Sequence, residues 1–276
     1  MKIIDSHCHL DFEVFKEDFP DMLQRAKDSN VTVMQTICTK ISEFEKIRKI
    51  AEAYDNIYCS VGIHPDEVEH EKYITAEELI KYTNHPKVIG LGETGLDYYR
   101  GKSASDLQAS LFKEHIKASR VTGLPLIVHT RSADDDTVKI LSDEMKIGKF
   151  PGLIHCFTAS KELAQAVIEL GFYISISGIV TFKNATQLQN TVKELPLECL
   201  LVETDAPYLA PTPKRGSRNE PAFTKHTVEF LAKLFGKTPE YIARVTTENF
   251  YCLFSTYAKF NMHVTFNSLF SNPLSF

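Results

Sequence analysis

Ile3-Ile4-Asp5-Ser6-His7-Cys8-His9-Leu10 is a short apolar run that carries an aspartate and two histidines. The pattern recurs along the chain: His64, Glu93, His129, His155 and Asp205 each follow another short apolar run. Residues so far apart in sequence meet only if the fold gathers the ends of its strands in one place. A parallel barrel does this, because all of its strands end on one face. The expected fold is therefore α/β, a (β/α)8 TIM barrel with a metal site at its C-terminal mouth.

The spacing agrees. β-branched and apolar runs recur roughly every 25–35 residues, as βα units do. Candidate strands fall at 3–6, 32–39, 57–62, 88–92, 126–129, 153–156, 173–177 and 200–203. Most are continuously apolar rather than alternating, which suits strands covered on both faces. Helical periods fill the gaps at 18–29, 42–53, 105–122, 160–170, 184–195, 224–235 and 238–254. Ser160 is an N-cap signal, and Pro239 stands at a first helical position. Gly123, Gly171 and Gly236 sit where helices should stop. One hydrolase domain is expected over 1–254. Residues 255–276 hold one charged residue, Lys259, and four phenylalanines without a helical period, and are expected to form an atypical apolar tail.

Composition narrows the class. A chain of 276 residues suits a single barrel, and 43% hydrophobic with 24% charged residues is a globular balance. No apolar run approaches the ~20 residues needed to span a bilayer, and the opening residues do not read as a signal peptide. The six cysteines, Cys8, Cys38, Cys59, Cys156, Cys199 and Cys252, are scattered and form no C-x-x-C pair. That pattern predicts reduced thiols in a cytoplasmic protein. A net charge of −5 argues against broad duplex binding but allows a local basic patch.

His7 and His9, two apart on a strand, point to the same side, so an inward-facing strand offers two imidazoles to one metal. Glu93 lies between glycines in Gly90-Leu91-Gly92-Glu93-Thr94-Gly95, where a carboxylate can bridge two cations. His129, His155 and Asp205 end the fifth, sixth and eighth candidate strands. Singly, each reads as a hydrogen-bonded core or rim residue; six at five strand ends argue for a shared site. The donors divide into one group of His7, His9, Glu93 and Asp205 and another of Glu93, His129 and His155. His64, before Pro65, reads as ligand, phosphate donor or cap, with substrate contact preferred.

These motifs resemble the TatD family of metal-dependent deoxyribonucleases. The resemblance rests on Asp5-Ser6-His7-Cys8-His9-Leu10, Gly62-Ile63-His64-Pro65, Gly90 to Tyr98, His129-Thr130-Arg131, His155-Cys156-Phe157, Glu203 to Leu209 and Asn219-Glu220-Pro221. It runs in order to about Phe254; the departure is the tail after it. It implies a barrel of the amidohydrolase-like superfamily, a two-metal site, and 3′–5′ exonuclease or related phosphodiesterase activity on DNA. The implied metal ligands are His7, His9, Glu93, His129, His155 and Asp205.

The expected enzyme is thus a two-metal phosphodiesterase acting on single-stranded DNA ends, with zinc, magnesium or manganese as the divalent ions. Asp205 and Glu93 are the expected catalytic acids: one holds a metal and accepts the water proton, the other sets the metal separation. Arg100, Lys102, Arg131, Lys183, Lys214, Arg215 and Arg218 follow strands and predict a basic rim for a polyanion. Of these, Arg100, Arg131, Arg215 and Arg218 join His64 as expected substrate contacts. Tyr98, Tyr99 and Tyr208 offer rings for unpaired bases. No membrane and no obligate protein partner are expected. Two alternatives stay open: a carbonyl-centre hydrolase (deacylase, amidase or lactonase) on the same barrel, and an idle barrel that only binds.

Overall fold

Strands that are apolar on both faces need cover on both faces, and the chain provides it by alternating strand and helix. The computed structural model describes residues 1–101 and 104–261. Eight parallel strands pair in sequence order: β1 (Ile3–Cys8), β2 (Val31–Thr36), β3 (Ile57–Val61), β4 (Val88–Asp97), β5 (Leu126–Arg131), β6 (Gly152–Ile154), β7 (Tyr173–Ile176) and β8 (Leu200–Val202). The ring closes just beyond β8, where Cys8 bridges Ala206 and the Asp205 N–H donates to the His7 carbonyl at 2.9 Å. Closure therefore joins the two segments that carry His7, His9 and Asp205.

The outer layer contains α1 (Phe19–Asp28), α2 (Phe44–Ala53), α3 (Ala76–Tyr82), α4 (Tyr98–Gly101), α5 (Ser105–Thr122), α6 (Asp134–Ile147), α7 (Lys161–Glu169), α8 (Thr186–Lys193), α9 (Thr224–Phe235) and α10 (Pro239–Asn261). The Ser160 hydroxyl accepts from the Leu163 N–H to cap α7, and left-handed Gly123 and Gly236 end α5 and α9. No described helix is long and apolar enough to cross a membrane.

The elements depart from the sequence pattern in four places. Helix α3 is too short to show a period, though a Thr75/Glu78 capping box starts it. Helix α6 buries Thr137, Leu141 and Glu144, so polar residues mask its inner face. Strand β4 continues past 92 to Asp97, because Thr94–Asp97 pair with Val128–Arg131 after a register shift. Glu93 thus lies inside a strand. Finally, α10 continues past 254 to Asn261, into the expected tail; residues 262–276 lie outside the described residues.

The two ends of the barrel differ in chemistry. Ile4, Ile89, Ile127, Leu153 and Leu201, each the second residue of its strand, cluster with Phe250, Leu253 and Phe254 of α10. The Asn249 amide ties this helix down by donating to the Leu197 and Leu200 carbonyls, each at 2.8 Å. Fully burying such apolar side chains contributes at most about 1.5–3 kcal/mol each. The N-terminal end is thus sealed and dry, which leaves the polar groups to the C-terminal mouth.

Gly95 shows how tightly β4 and β5 approach there. Its φ is +139°, and a Cβ at this position would be driven into the His129 carbonyl oxygen. Gly95→Ala should therefore cost about 2–4 kcal/mol in urea unfolding. Gly171→Ala, whose Cβ meets open space at φ +88°, should cost only about 1 kcal/mol of left-handed strain. Equal costs at the two sites would mean that β5 yields freely.

Candidate metal centre

The register shift in β1 between Asp5 and Cys8 breaks the alternation and lets His7 face into the barrel, and the chain just past the strand's end brings His9 beside it. Glu93 reaches the same place from β4. Its Oε1 lies 2.7 Å from His155 Nε2, 3.1 Å from His129 Nδ1 and 3.4 Å from His64 Nε2. Its Oε2 lies 3.3 Å from His7 Nε2. Asp205 Oδ1 is 3.2 Å from His9 Nε2 and 3.7 Å from His7 Nε2. The structure thus gathers His7, His9, His64, Glu93, His129, His155 and Asp205 at one mouth, around a cavity of about 450 Å³ beneath which His7 is fully buried.

Among the described residues, three sets of donor atoms lie within 4.8 Å of one another: His7–Glu93–His155, His7–His9–Asp205 and His64–Glu93–His129. The residues fit a divalent cation on two counts. Nε2 of His7, aimed between Glu93 and Asp205, is buried without a hydrogen bond among the described residues. Leaving such an atom unsatisfied costs about 1–3 kcal/mol, and coordination would relieve it. The donor set, imidazole with carboxylate, also suits zinc, manganese and similar ions. His64 belongs to the third set, but its ring is held differently from the others. Its Nδ1 accepts from the Asp66 N–H at 3.0 Å, so the neutral ring carries its proton on Nε2 and turns a donor toward Glu93.

Charge follows from the surroundings. Burial pushes the His7 pKa down, and the neighbouring His155 adds to this, which favours the neutral ligand form. Burial alone would raise Glu93, yet the surrounding imidazoles, His155 foremost, hold it well below the usual carboxylate range. Burial also opposes ionisation of Asp205, and the hydrogen bond from His9 overcomes it.

Three buried acids that the sequence reading left without a role stand behind this cluster. Asp5 accepts from the Thr204 N–H at 2.9 Å and hydroxyl at 2.6 Å, tying β1 to the loop after β8; burial pushes its pKa up to about 8. Asp97 Oδ2 lies 3.1 Å from His129 Nε2. Glu203 Oε1 accepts from the Cys156 N–H at 2.8 Å and lies 3.4 Å from His155 Nδ1. Alternation along an extended β4 is the signal that puts Asp97 on the side of Glu93. Helix α5 braces the same loops: Gln108 Oε1 accepts from the Asp97 N–H at 3.1 Å, and His115 Nε2 accepts from the Ile63 N–H at 3.2 Å.

The expected substrate contacts separate. Arg131 lines the cavity, with its guanidinium 3.8 Å from the centre of the Tyr99 ring, which is 68% exposed. A second recess of about 570 Å³ shares Thr130, Arg131, Thr158 and Ile179 with the first and reaches Phe182, over which Arg215 lies at 3.7 Å. Arg218 is a correction to the basic rim. Its guanidinium forks onto both carboxylate oxygens of Asp18, each at 2.7 Å, and donates to the Val14 carbonyl, so it serves an ion network with Arg25 and Glu220. Tyr98 likewise donates its hydroxyl to Asp136. The side chain of Arg100, and Lys102, lie outside the described residues.

His115 yields a test of this bracing. Burial lowers its pKa from 6.5 to about 4, although Nδ1 donates to the Leu111 carbonyl. As pH falls below 6.5 the unfolded chain takes up the proton first, so this group's share of stability falls with pH until both states are protonated near 4. Relative to neutral pH, the loss at pH 5 should be about 2 kcal/mol. Urea unfolding at both pH values should show a larger loss in the parent than in His115→Gln; equal losses would contradict it.

Comparison with known proteins places this geometry. The profile of the family described as TatD related DNase matches residues 4–255. The metal-dependent hydrolase YcfH of Escherichia coli K12 is 42% identical over 257 residues, covering 92% of this chain and 96% of its own. The Shigella flexneri protein named 3′–5′ ssDNA/RNA exonuclease TatD is 32% identical over 258 residues, covering 91% and 98%. Among solved structures, YJJV, a TatD homologue from Escherichia coli K12, superposes with a TM-score of 0.85 at 30% identity, covering 92% of this chain and 98% of that one.

Proposed function

The chain belongs to the TatD-related DNase family and is a metal-dependent hydrolase, and from that premise we propose that it removes nucleotides from the 3′ ends of single-stranded DNA with two divalent cations. The observation that carries the reading is the division of Glu93: Oε2 faces His7, and Oε1 faces His129 and His155. A carboxylate that offers each oxygen to a different imidazole set is built to bridge. His7, His9 and Asp205 would hold one ion, His129 and His155 the other, and Glu93 both. Bound there, the ions supply Lewis acidity toward the phosphoryl oxygen and ease deprotonation of the attacking water.

The chain's own groups supply the rest. Asp205, its side chain 14% exposed at the cavity, takes the proton of the attacking water. His64 donates from Nε2 to a phosphoryl oxygen; the Asp66 N–H at Nδ1 keeps the proton on that side. Arg131 receives the phosphate at the cavity and Arg215 a further one along the second recess. The exposed faces of Tyr99 and Tyr208 offer stacking surfaces for unpaired bases. The name of the Shigella relative supports the choice of single-stranded ends.

A metal-dependence panel tests the reaction class. Labelled single-stranded DNA should be shortened from its 3′ end faster than blunt duplex, and chelation should abolish cleavage. An N-acyl amino acid hydrolysed orders of magnitude faster than any phosphodiester would replace this reading with carbonyl-centre chemistry. A second measurement tests the phosphate track. Arg131→Ala combined with Arg215→Ala should lower the slope of log affinity against log salt for single strands by about 1.4, two phosphate contacts' worth. Arg218→Ala should leave that slope unchanged while lowering thermal stability.

A further inference from the structure

His129 sits between two acids, and as a neutral metal ligand it can give its proton to only one. Nδ1 lies 3.1 Å from Glu93 Oε1 and 3.2 Å from His155 Nε2; Nε2 lies 3.1 Å from Asp97 Oδ2. A neutral imidazole has one N–H and one lone pair. Asp97 is 1% exposed and is held at three points among the described residues. Its Oδ1 accepts from the Tyr99 N–H at 2.9 Å, its own N–H donates to Gln108 Oε1 at 3.1 Å, and its carbonyl accepts from Gln108 Nε2 at 3.3 Å. Clamped in this way, Asp97 has one oxygen aimed at His129.

We propose that Asp97 is a positioning residue that fixes the proton of His129 on Nε2, so that the lone pair of Nδ1 faces Glu93 and His155. The proposal rests on the metal-centre reading above and concerns how one of its ligands is prepared. It also explains a contrast within the site. His64 and His129 lie with ring centres 4.5 Å apart, and both approach Glu93 Oε1. The Asp66 N–H at His64 Nδ1 makes His64 turn a proton inward, whereas Asp97 at His129 Nε2 makes His129 turn a lone pair inward. Two histidines side by side are thereby sorted into a donor and a ligand.

The sorting makes an isosteric substitution more harmful to the metal than a truncation. In Asp97→Asn the Tyr99 N–H holds the amide oxygen in the Oδ1 place, which leaves the amide NH2 facing His129 Nε2. That donor demands a lone pair at Nε2 and forces the proton onto Nδ1, which removes the ligand. Asp97→Ala removes the carboxylate without imposing the wrong tautomer. A residue that only filled space would give the opposite order, with Asn the milder change.

Protein stripped of metal should be titrated with Co2+, followed by visible absorption, and with Zn2+ in competition with a chromophoric chelator. The parent should take up two ions. Asp97→Asn should weaken one of them ~10–100-fold and leave the other unchanged, with Asp97→Ala losing less. Melting without metal should rank the variants the other way, Asn nearer the parent than Ala. If Ala does not fold, Asp97→Ser serves as the truncation. Asn binding both ions as tightly as the parent, or the truncation losing more affinity than Asn, would overturn the proposal while the metal centre stands. A parent that takes up no Co2+ would overturn the metal-centre reading itself, and the role of Asp97 with it.

Discussion

A carboxylate sealed inside a protein stays ionised only among positive charges or hydrogen-bond donors. Glu93, 2% exposed, lies among four imidazoles, one each from β1, β5 and the segments after β3 and β6; His64 turns a donor to it, and the others would hold the cations that balance its charge. That single demand shapes much of the upper barrel. It requires β4 to stay extended beyond the point where its neighbours end, and it requires β3 and β5 to crowd against it. A Cβ on Gly62 would stand 2.5 Å from the Gly92 backbone, so glycine is imposed just after β3 by the course of β4. Helix α5 then fixes the two loops on either side of the carboxylate, with His115 on one and Gln108 bonding both.

Behind the imidazoles lies a second layer of acids, and it is uneven. Asp97 and Glu203 stand behind His129 and His155, whereas Nδ1 of His7 and of His9 has no hydrogen-bond partner among the described residues. The His7–His9 side instead receives its carboxylate directly, from Asp205, brought in by the closure of the ring at Ala206. The two halves of the site are thus built on different principles: one by anionic ligation, the other by anionic support behind the imidazoles.

The barrel was legible because its signal is repetitive: eight apolar runs, each short and separated by a helical period. The cluster was legible because titratable residues at strand ends have one geometric explanation. What stayed hidden depends on contacts between distant segments. Arg218 looked like a rim cation because its partner Asp18 lies 200 residues away in the chain. Asp97 looked like a loop residue because the reading ended β4 at 92, before the register shift that extends it. Helix α6 escaped because Thr137 and Glu144 occupy buried positions where a periodic pattern calls for apolar side chains. The opposed tautomers of His64 and His129 are invisible to any sequence pattern, since each is decided by a single hydrogen bond.

Helix α10 seals the end of the barrel away from the metal cluster, and it carries Cys252 on its exposed side. The thiols of Cys8, Cys38 and Cys59 are buried, with burial pushing Cys38 and Cys59 up to about 12, so they make slow nucleophiles. An alkylating reagent therefore meets Cys252 first among the described cysteines. A bead or an electrode coupled at that sulfur would hold every molecule in the same orientation, with the catalytic mouth turned toward the solution.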